Sequence, residues 1–387
     1  MKKVRLGIVG LGSMGAVHAQ YLLDGKVPRI DLVAIADGDP TTLQRFPQIR
    51  QFSRGEALIR SGLVDAVLIA TPHYSHTTLG IEALEAGLHL LVEKPISVHK
   101  ADCQRLIKAH KNKKQVFGAM FNQRTDPHYI KLRNLIQSGE LGELRRVQWT
   151  ITNWFRTEAY YSSGGWRATW GGEGGGVLLN QCPHNLDLFQ WMFGMPQRVQ
   201  AFCSFGRYHN IEVEDDVTAY MEYKNGLTAT FIASTGEAPG TNRLEVACDR
   251  GRVVLEQGKI SFNRAIESIS GFCASTKEKW SGPEFWDVQI PVEGSGEQHI
   301  GILKNFADAV LDGTPLIAPA SEGIHSVELA NAMLLSAFEK RSVDFPLDAA
   351  RYERVLKARI AASKPRRKKV VKNTPSSRDM SNSFGKA

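Results

Sequence analysis

The chain opens on a β-branched apolar run, Val4 to Val9, which breaks at Gly10-Leu11-Gly12-Ser13-Met14-Gly15 and gives way to helical spacing from Ala16 to Leu23. A second apolar run, Ile30 to Ala36, ends in Asp37. The alternation continues with strands at Asp65 to Ala70, His89 to Val92 and Gln115 to Met120, and helices at Ser75 to Ala86 and Lys100 to Lys111. Repeated strand-helix units of this length predict α/β architecture, a doubly wound parallel sheet with right-handed crossovers, over residues 1–123.

Beyond that point the period changes from helical to alternating. After a helix from about Asp126 to Gln137 and a turn at Ser138 to Glu143, alternating segments appear at Leu144 to Trp154, Gln197 to Phe205, Asp216 to Tyr223, Leu227 to Thr235, Arg243 to Cys248 and Arg252 to Glu256. Lys224-Asn225-Gly226 and Asp249-Arg250-Gly251 read as hairpin turns. The pattern predicts an α+β domain over residues 124–362 with an open, mainly antiparallel sheet. One face of that sheet is expected to carry a helix over Gly174 to Leu188 and helices near His299 to Leu311 and Glu322 to Arg341. No internal repeat is present.

The first of those helices opens on three glycines, GGGVLLNQCPHNLDL, which let backbone pass close to a flat ligand. On the predicted helix Asn180 and His184 share one face, with Asp187 one turn further along. His184 suits proton transfer, because its ordinary pKa lies nearest neutrality. A buried, hydrogen-bonded histidine at a helix start fits the same stretch.

Gly10, Gly12 and Gly15 form GxGxxG between a strand and a helix. The first glycine makes the tight turn, the second admits a pyrophosphate, and the third lets helix and strand pack, so the turn reads as a Rossmann dinucleotide site. Asp37 follows Gly15 by 22 residues, where a carboxylate accepts hydrogen bonds from the adenine ribose. Gly38 and Asp39 come next, with no Arg or Lys for a 2′-phosphate, so NAD is favoured over NADP. Ligands bind such sheets beyond the carboxyl ends of the strands, which singles out Thr71-Pro72-His73 with His76, Glu93-Lys94-Pro95, and Asn122-Gln123-Arg124. Lys94, next to a proline, is placed to polarise an oxygen that becomes a carbonyl; a surface Lys-Glu pair is the competing explanation. From Trp149 to Trp170 aromatics interleave with Asn153, Arg156 and Arg167, a composition suited to a sugar or cyclic polyol, or to core and subunit contacts.

Composition changes the picture at one end of the chain. The net charge is +8, but residues 363–387 hold eight Lys or Arg and one Asp, so seven of those charges belong to a polar segment that should be a disordered tail. A nucleic-acid partner is therefore disfavoured. Five cysteines lie scattered without a CxxC pair, so neither a disulfide framework nor a metal site is expected. No apolar stretch approaches the roughly 20 residues of a membrane span, and the N-terminus has no room for a signal core; a cytoplasmic protein is expected.

With GLGSMG at the start, EKP at 93–95, Trp166-Arg167, and GGGVLLNQCPHNLDL, the chain resembles the glucose-fructose oxidoreductase, inositol dehydrogenase and MocA (Gfo/Idh/MocA) family over about residues 3–347. The resemblance implies bound NAD or NADP, hydride exchange with a hydroxyl carbon of a sugar or cyclitol, and homodimers or homotetramers built through the sheet face. It implies that Lys94 and His184 are the active-site lysine and histidine, and that Asn180 stands where many members carry an aspartate. An amide does not titrate, so Asn180 orients while His184 carries the proton. The expected cofactor contacts are Gly10, Gly12, Ser13, Met14, Gly15, Asp37, Thr71, Pro72, His73, His76, Glu93, Lys94, Asn122 and Arg167. The expected substrate contacts are Lys94, Asn153, Trp166, Arg167, Asn180 and His184. Two alternatives stay open: redox-neutral chemistry through a transient keto-sugar, and a non-catalytic NAD-binding sensor.

Overall fold

The computed structural model describes residues 2–363, so the predicted disordered tail lies, apart from Ser363, outside the described residues. The first sheet contains β1 (Val4–Val9), β2 (Ile30–Ala36), β3 (Arg50–Phe52), β4 (Ala66–Ile69), β5 (His89–Val92) and β6 (Phe117–Ala119). Its order is β3-β2-β1-β4-β5-β6, with every pairing parallel, which is the doubly wound dinucleotide-binding arrangement. The central strands read as apolar runs because helices cover both faces; Leu6, Ile8, Val67, Leu68, Leu90 and Leu91 are fully buried.

The second sheet has nine strands: β7 (Leu144–Ile151), β8 (Arg198–Phe205), β9 (Glu214–Glu222), β10 (Thr228–Ser234), β11 (Asn242–Cys248), β12 (Gly251–Glu256), β13 (Lys259–Ala265), β14 (Phe285–Ile290) and β15 (Val343–Asp344). The order is β14-β13-β12-β11-β7-β10-β9-β8-β15, antiparallel except where β7 and β10 run parallel. Both expected hairpins form, with Gly226 and Gly251 at positive φ (+87° and +122°). The last three strands escaped the sequence reading. The β12–β13 turn is Gln257-Gly258, with both residues at positive φ (+50° and +68°), and Gln-Gly is not a sequence that announces such a turn. The central strands β7, β9 and β10 bury alternate residues over most of their length, whereas β12 buries Val253, Val254 and Leu255 in a row; Trp149 and Phe231 pack on Phe189.

Two expected helices behave differently from the pattern. The helix Gln298–Asp312 does not cover the second sheet; Ile302, Leu303, Phe306 and Ala307 bury themselves in the first domain's core. Its apolar spacing gives one greasy face without saying which sheet receives it. Long-range charge decides in part: Arg29 Nη1 donates to Asp308 Oδ1 at 2.6 Å and also pairs with Asp312. The second correction concerns the glycine stretch. No helix runs from Gly174; turns persist to Cys182, and the helix is Pro183–Phe193 with the proline in its first turn, where no N–H is missed.

The turn stretch is held instead by Glu214. Its Oε1 accepts the Gly176 N–H (2.8 Å) and the Leu178 N–H (3.0 Å), while its backbone oxygen accepts Val177 N–H (2.9 Å). The approach is so close that a Cβ on Gly176 would sit 1.9 Å from Glu214 O. Burial pushes the Glu214 carboxyl up to about 7, against the pull of those N–H donors. A folded pKa above the unfolded value means stability that is full at low pH and falls as pH rises from about 4.5 to about 7. Urea unfolding of Glu214→Gln beside wild type should remove that component, up to about 3 kcal/mol across the window. Identical pH dependence in the two proteins would contradict the assignment.

Candidate active site

The β1–α turn is shaped for close approach. Gly10 has φ +90° and a Cβ there would meet Ala70 O at 2.7 Å, while one on Gly15 would strike Gly10 O at 1.8 Å. At Gly12 a Cβ would meet nothing within 4 Å, so the outer side of the turn is open to a pyrophosphate. Ser13 and Met14 begin the helix Ser13–Leu23 behind it, whose N-terminus faces that opening. At the end of β2, Asp37 Oδ2 accepts Leu11 N–H at 2.6 Å and Oδ1 accepts Asp39 N–H at 2.9 Å, which brings the carboxylate over the glycine turn. These residues fit a dinucleotide with an unphosphorylated ribose. Asp37→Ala is expected to weaken NADH binding about ten- to a hundredfold, as loss of a charged hydrogen-bond partner does, in a fluorescence titration.

The ends of β4 and β5 build the next wall. Pro72 caps the helix His73–Glu85, and His73 Nδ1 lies 3.2 Å from Glu173 O. His76 is a brace and has no ring nitrogen left for a cofactor: they lie 2.8 Å from Pro95 O and 2.8 Å from Thr71 O. Glu93 is buried too. Burial opposes its ionisation, but the bond from His18 Nε2 at 2.7 Å, together with the charges of His18, His299 and Lys94, holds the carboxyl down at about 2. Glu93 thus serves as an anion beneath the site, and the surface Lys-Glu pair does not exist. The Lys94-Pro95 peptide is cis, and Lys94 Nζ donates to Asn180 O at 2.9 Å. Burial, offset by Glu93, lowers the Lys94 pKa. Beyond β6, Asn122 Nδ2 donates to Gln298 Oε1 at 2.7 Å, and its Oδ1 is buried without a partner.

The facing wall comes from the second domain. His184, in the first turn of Pro183–Phe193, is 6% exposed, lies edge-on to Phe121, and has a buried Nδ1 with no hydrogen-bond partner. Burial first, then the charge of Lys94, holds its pKa well below that of an ordinary imidazole. Asn180 and His184 do not share a helix, because Asn180 sits in the turn stretch; Lys94 nevertheless joins them, bonded to one and electrostatically coupled to the other. Asn180 Nδ2 donates to Glu173, and its Oδ1 accepts Tyr160 OH (3.0 Å) and Gln181 Nε2 (3.0 Å). The Tyr160 oxygen in turn accepts Arg167 Nη1 at 3.0 Å. The Arg167 guanidinium stacks between Tyr160 and Trp166, 4.7 Å from each ring centre, and Trp166 packs edge-on against His73. Asn153 follows β7 with a buried, unpartnered Oδ1.

Asp187 leaves the site face. It grips Arg124 through two bonds of 2.7 Å, and Arg124 Nη1 reaches Glu322 at 2.6 Å. Sequence reasoning held Tyr160 only as one of the aromatics between Trp149 and Trp170, and missed Glu173, His18 and His299, whose ring stands edge-on to His18 at 5.5 Å. Of these Glu173 carried a signal, a lone carboxylate between a glycine pair and a run of three glycines. Among the described residues there is no metal-binding cluster, all five cysteines are free, and no helix is long and apolar enough to cross a membrane.

Comparison with known proteins places this geometry. Residues 4–121 match the oxidoreductase family with an NAD-binding Rossmann fold, and residues 129–254 match the GFO/IDH/MocA C-terminal domain. The chain is 31% identical over 362 residues to an inositol 2-dehydrogenase of Corynebacterium glutamicum (strain R), covering 90% of this chain and 97% of the relative. It is 23% identical to a scyllo-inositol 2-dehydrogenase (NADP(+)) of Bacillus subtilis (strain 168), covering 88% and 95%. Among solved structures, a WlbA dehydrogenase from Chromobacterium violaceum in complex with NADH and UDP-GlcNAcA superposes with TM-score 0.76 at 25% identity, covering 90% and 97%. Levoglucosan dehydrogenase in complex with NADH and levoglucosan shares the fold, with TM-score 0.74 at 22% identity, covering 89% and 100%. With the glycine turn, Asp37, and a lysine and histidine brought together between two domains, this chain belongs to the Gfo/Idh/MocA family of NAD-binding oxidoreductases.

Proposed function

We propose that the protein is an NAD-dependent dehydrogenase of a sugar or cyclitol, with His184 as acid/base and Lys94 stabilising the oxygen. The observation that carries the reading is the pairing of a half-buried Lys94 amine, held by Asn180 O, with a buried His184 whose pKa is pushed well down in its presence. Bound NAD supplies the hydride acceptor. Lys94 directs its remaining N–H donors at the substrate oxygen and stabilises negative charge as the hydroxyl becomes a carbonyl. His184 takes the hydroxyl proton at Nε2, since Nδ1 is buried away from any partner. Arg167, Trp166 and Asn153 orient the ring, and Asn180 holds Lys94. The inositol dehydrogenases among the relatives favour a cyclitol. We place self-association at the open sheet face, where Phe202 (70%) and Tyr220 (43%) are exposed, and the protein in the cytoplasm.

The test is absorbance at 340 nm with NAD or NADP and a panel of cyclitols, aldoses, anhydro sugars and glycosides. A rise with NAD and one substrate class supports the reading. Substrate consumed without NADH accumulating would replace it with redox-neutral chemistry.

A further inference from the structure

Glu173 is 2% exposed and buries a carboxylate where three segments meet. Its Oε2 accepts Ala168 N–H at 2.6 Å, its Oε1 accepts Asn180 Nδ2–H, and Oε1 also lies 3.9 Å from Arg167 Nη1. Its backbone oxygen faces His73 Nδ1. Ala168, directly after Trp166 and Arg167, has φ +56°, a left-handed conformation that a residue with a side chain keeps only when its surroundings over-determine it. The bond to Glu173 supplies that constraint.

The same carboxylate fixes a polarity. Burial raises the Glu173 pKa, opposed first by the charge of Arg167 and then by the Ala168 N–H and Asn180 bonds. In its ionised form the carboxylate accepts and does not donate, so only the Nδ2 end of Asn180 faces it. Oδ1 must then turn to Tyr160, whose hydroxyl gives its one hydrogen to Oδ1 and leaves its lone pairs for Arg167 and Gln181. From Glu173 through Asn180 and Tyr160 to Arg167, each donor has one acceptor and the chain of bonds has one direction. The backbone oxygen of Asn180 is the group that holds Lys94 Nζ.

We propose that Glu173 is the positioning residue of this site: it orients the Asn180 amide, seats the Trp166-Arg167 turn, and through Asn180 places Lys94. It touches neither Lys94 Nζ nor, on the proposed reading, the reacting carbon. The proposal rests on that reading for its kinetic test alone.

The experiment is a reciprocal exchange. In Glu173→Gln two amides face one another; if the introduced amide accepts Ala168 N–H through its oxygen, its N–H donors meet Asn180 Nδ2, and Asn180 must turn its nitrogen onto Tyr160. With the polyol that wild type oxidises in the panel, kcat should fall about ten- to a hundredfold, as misplacement of site groups produces, with KM and NADH affinity within about twofold. Asn180→Asp sets two carboxylates in hydrogen-bond contact and should lose a similar factor. The double variant, Glu173→Gln with Asn180→Asp, restores one donor facing one acceptor and should return kcat to within about threefold of wild type, a strong non-additivity. A double variant no faster than the slower single variant overturns the proposal.

A second readout needs no substrate. The pH dependence of Lys94 arylation by 1-fluoro-2,4-dinitrobenzene, followed by mass spectrometry, reports the amine itself. Glu173→Gln should move reactivity to lower pH, and the double variant should return it. An unmoved Glu173→Gln profile, in protein that still binds NADH, also overturns the proposal. If wild type oxidises no polyol, the reading of function fails while the labelling result still decides the role of Glu173.

Discussion

Replacing Lys94 with methionine is expected to lower kcat by about a thousandfold while NADH binding is kept, the size seen when a pre-placed donor to a developing oxyanion is removed. Methionine preserves length and packing, so the change isolates the ammonium that Asn180 O holds at 2.9 Å. His184→Ala should cost about a hundred- to ten-thousandfold in kcat, since a positioned acid/base is lost. The pH dependence separates their roles. Burial and the Lys94 charge depress the His184 pKa well below 6.5, so its neutral, basic form persists in the folded protein at pH 6.5 and somewhat below. The acid limb of kcat/KM should therefore lie below pH 6.5, and in Lys94→Met it should move upward as the repelling charge disappears. An acid limb at or above pH 6.5 in wild type would remove His184 from the role of base. The same shift has a stability counterpart: a histidine neutral when folded but protonated when unfolded costs stability as pH falls below about 6.5.

Asp187→Ala should destabilise the fold by about 3–5 kcal/mol, the usual cost of leaving one member of a buried ion pair alone. The side chains of Asp187 and Arg124 are each 1% exposed, and two bonds of 2.7 Å join them. Removing the carboxylate leaves the guanidinium with Glu322 and the Ile317 carbonyl, too little to replace a bidentate partner in a water-free place. Urea unfolding reads the loss. A double change, Arg124→Met with Asp187→Leu, removes both charges and should recover most of it; a double variant as unstable as the single would show that packing, not charge, is at stake. Because Asp187 lies one turn beyond His184 on the same helix, the single variant should also loosen the histidine and lower kcat.

What the residues announced in advance was local. The turn of Gly10, Gly12 and Gly15 and the carboxylate of Asp37 over it could be read because strand, turn, helix start and second strand lie within one β-α-β unit, and Lys94 because it follows directly on the apolar strand β5. His184 could be singled out, but the place of Asn180 could not: Val177, Leu178, Leu186, Leu188 and Phe189 suggest one helix, yet residues 177–179 are buried as a turn, because Glu214, distant in sequence, takes the N–H groups of Gly176 and Leu178. The Arg124–Asp187 pair joins residues 63 apart and the Asn122–Gln298 bond residues 176 apart, and no period in the chain encodes such partners. Glu173 shows the same limit at short range. Only the close return of the glycine turn puts its carboxylate against Asn180, so its meaning depends on backbone geometry that composition does not state.

The return of Gln298–Asp312 to the first core has a consequence for biosynthesis. The nucleotide-binding domain is discontinuous along the chain, so its apolar surface awaiting Ile302 and Phe306 stays uncovered while the whole second sheet through β14 is being made. At roughly 5–20 residues per second that exposure lasts on the order of ten seconds or more on the ribosome. The first domain therefore cannot finish before the second has nearly emerged, and a truncated product ending ahead of residue 298 would present a sticky face to chaperones and to its own copies.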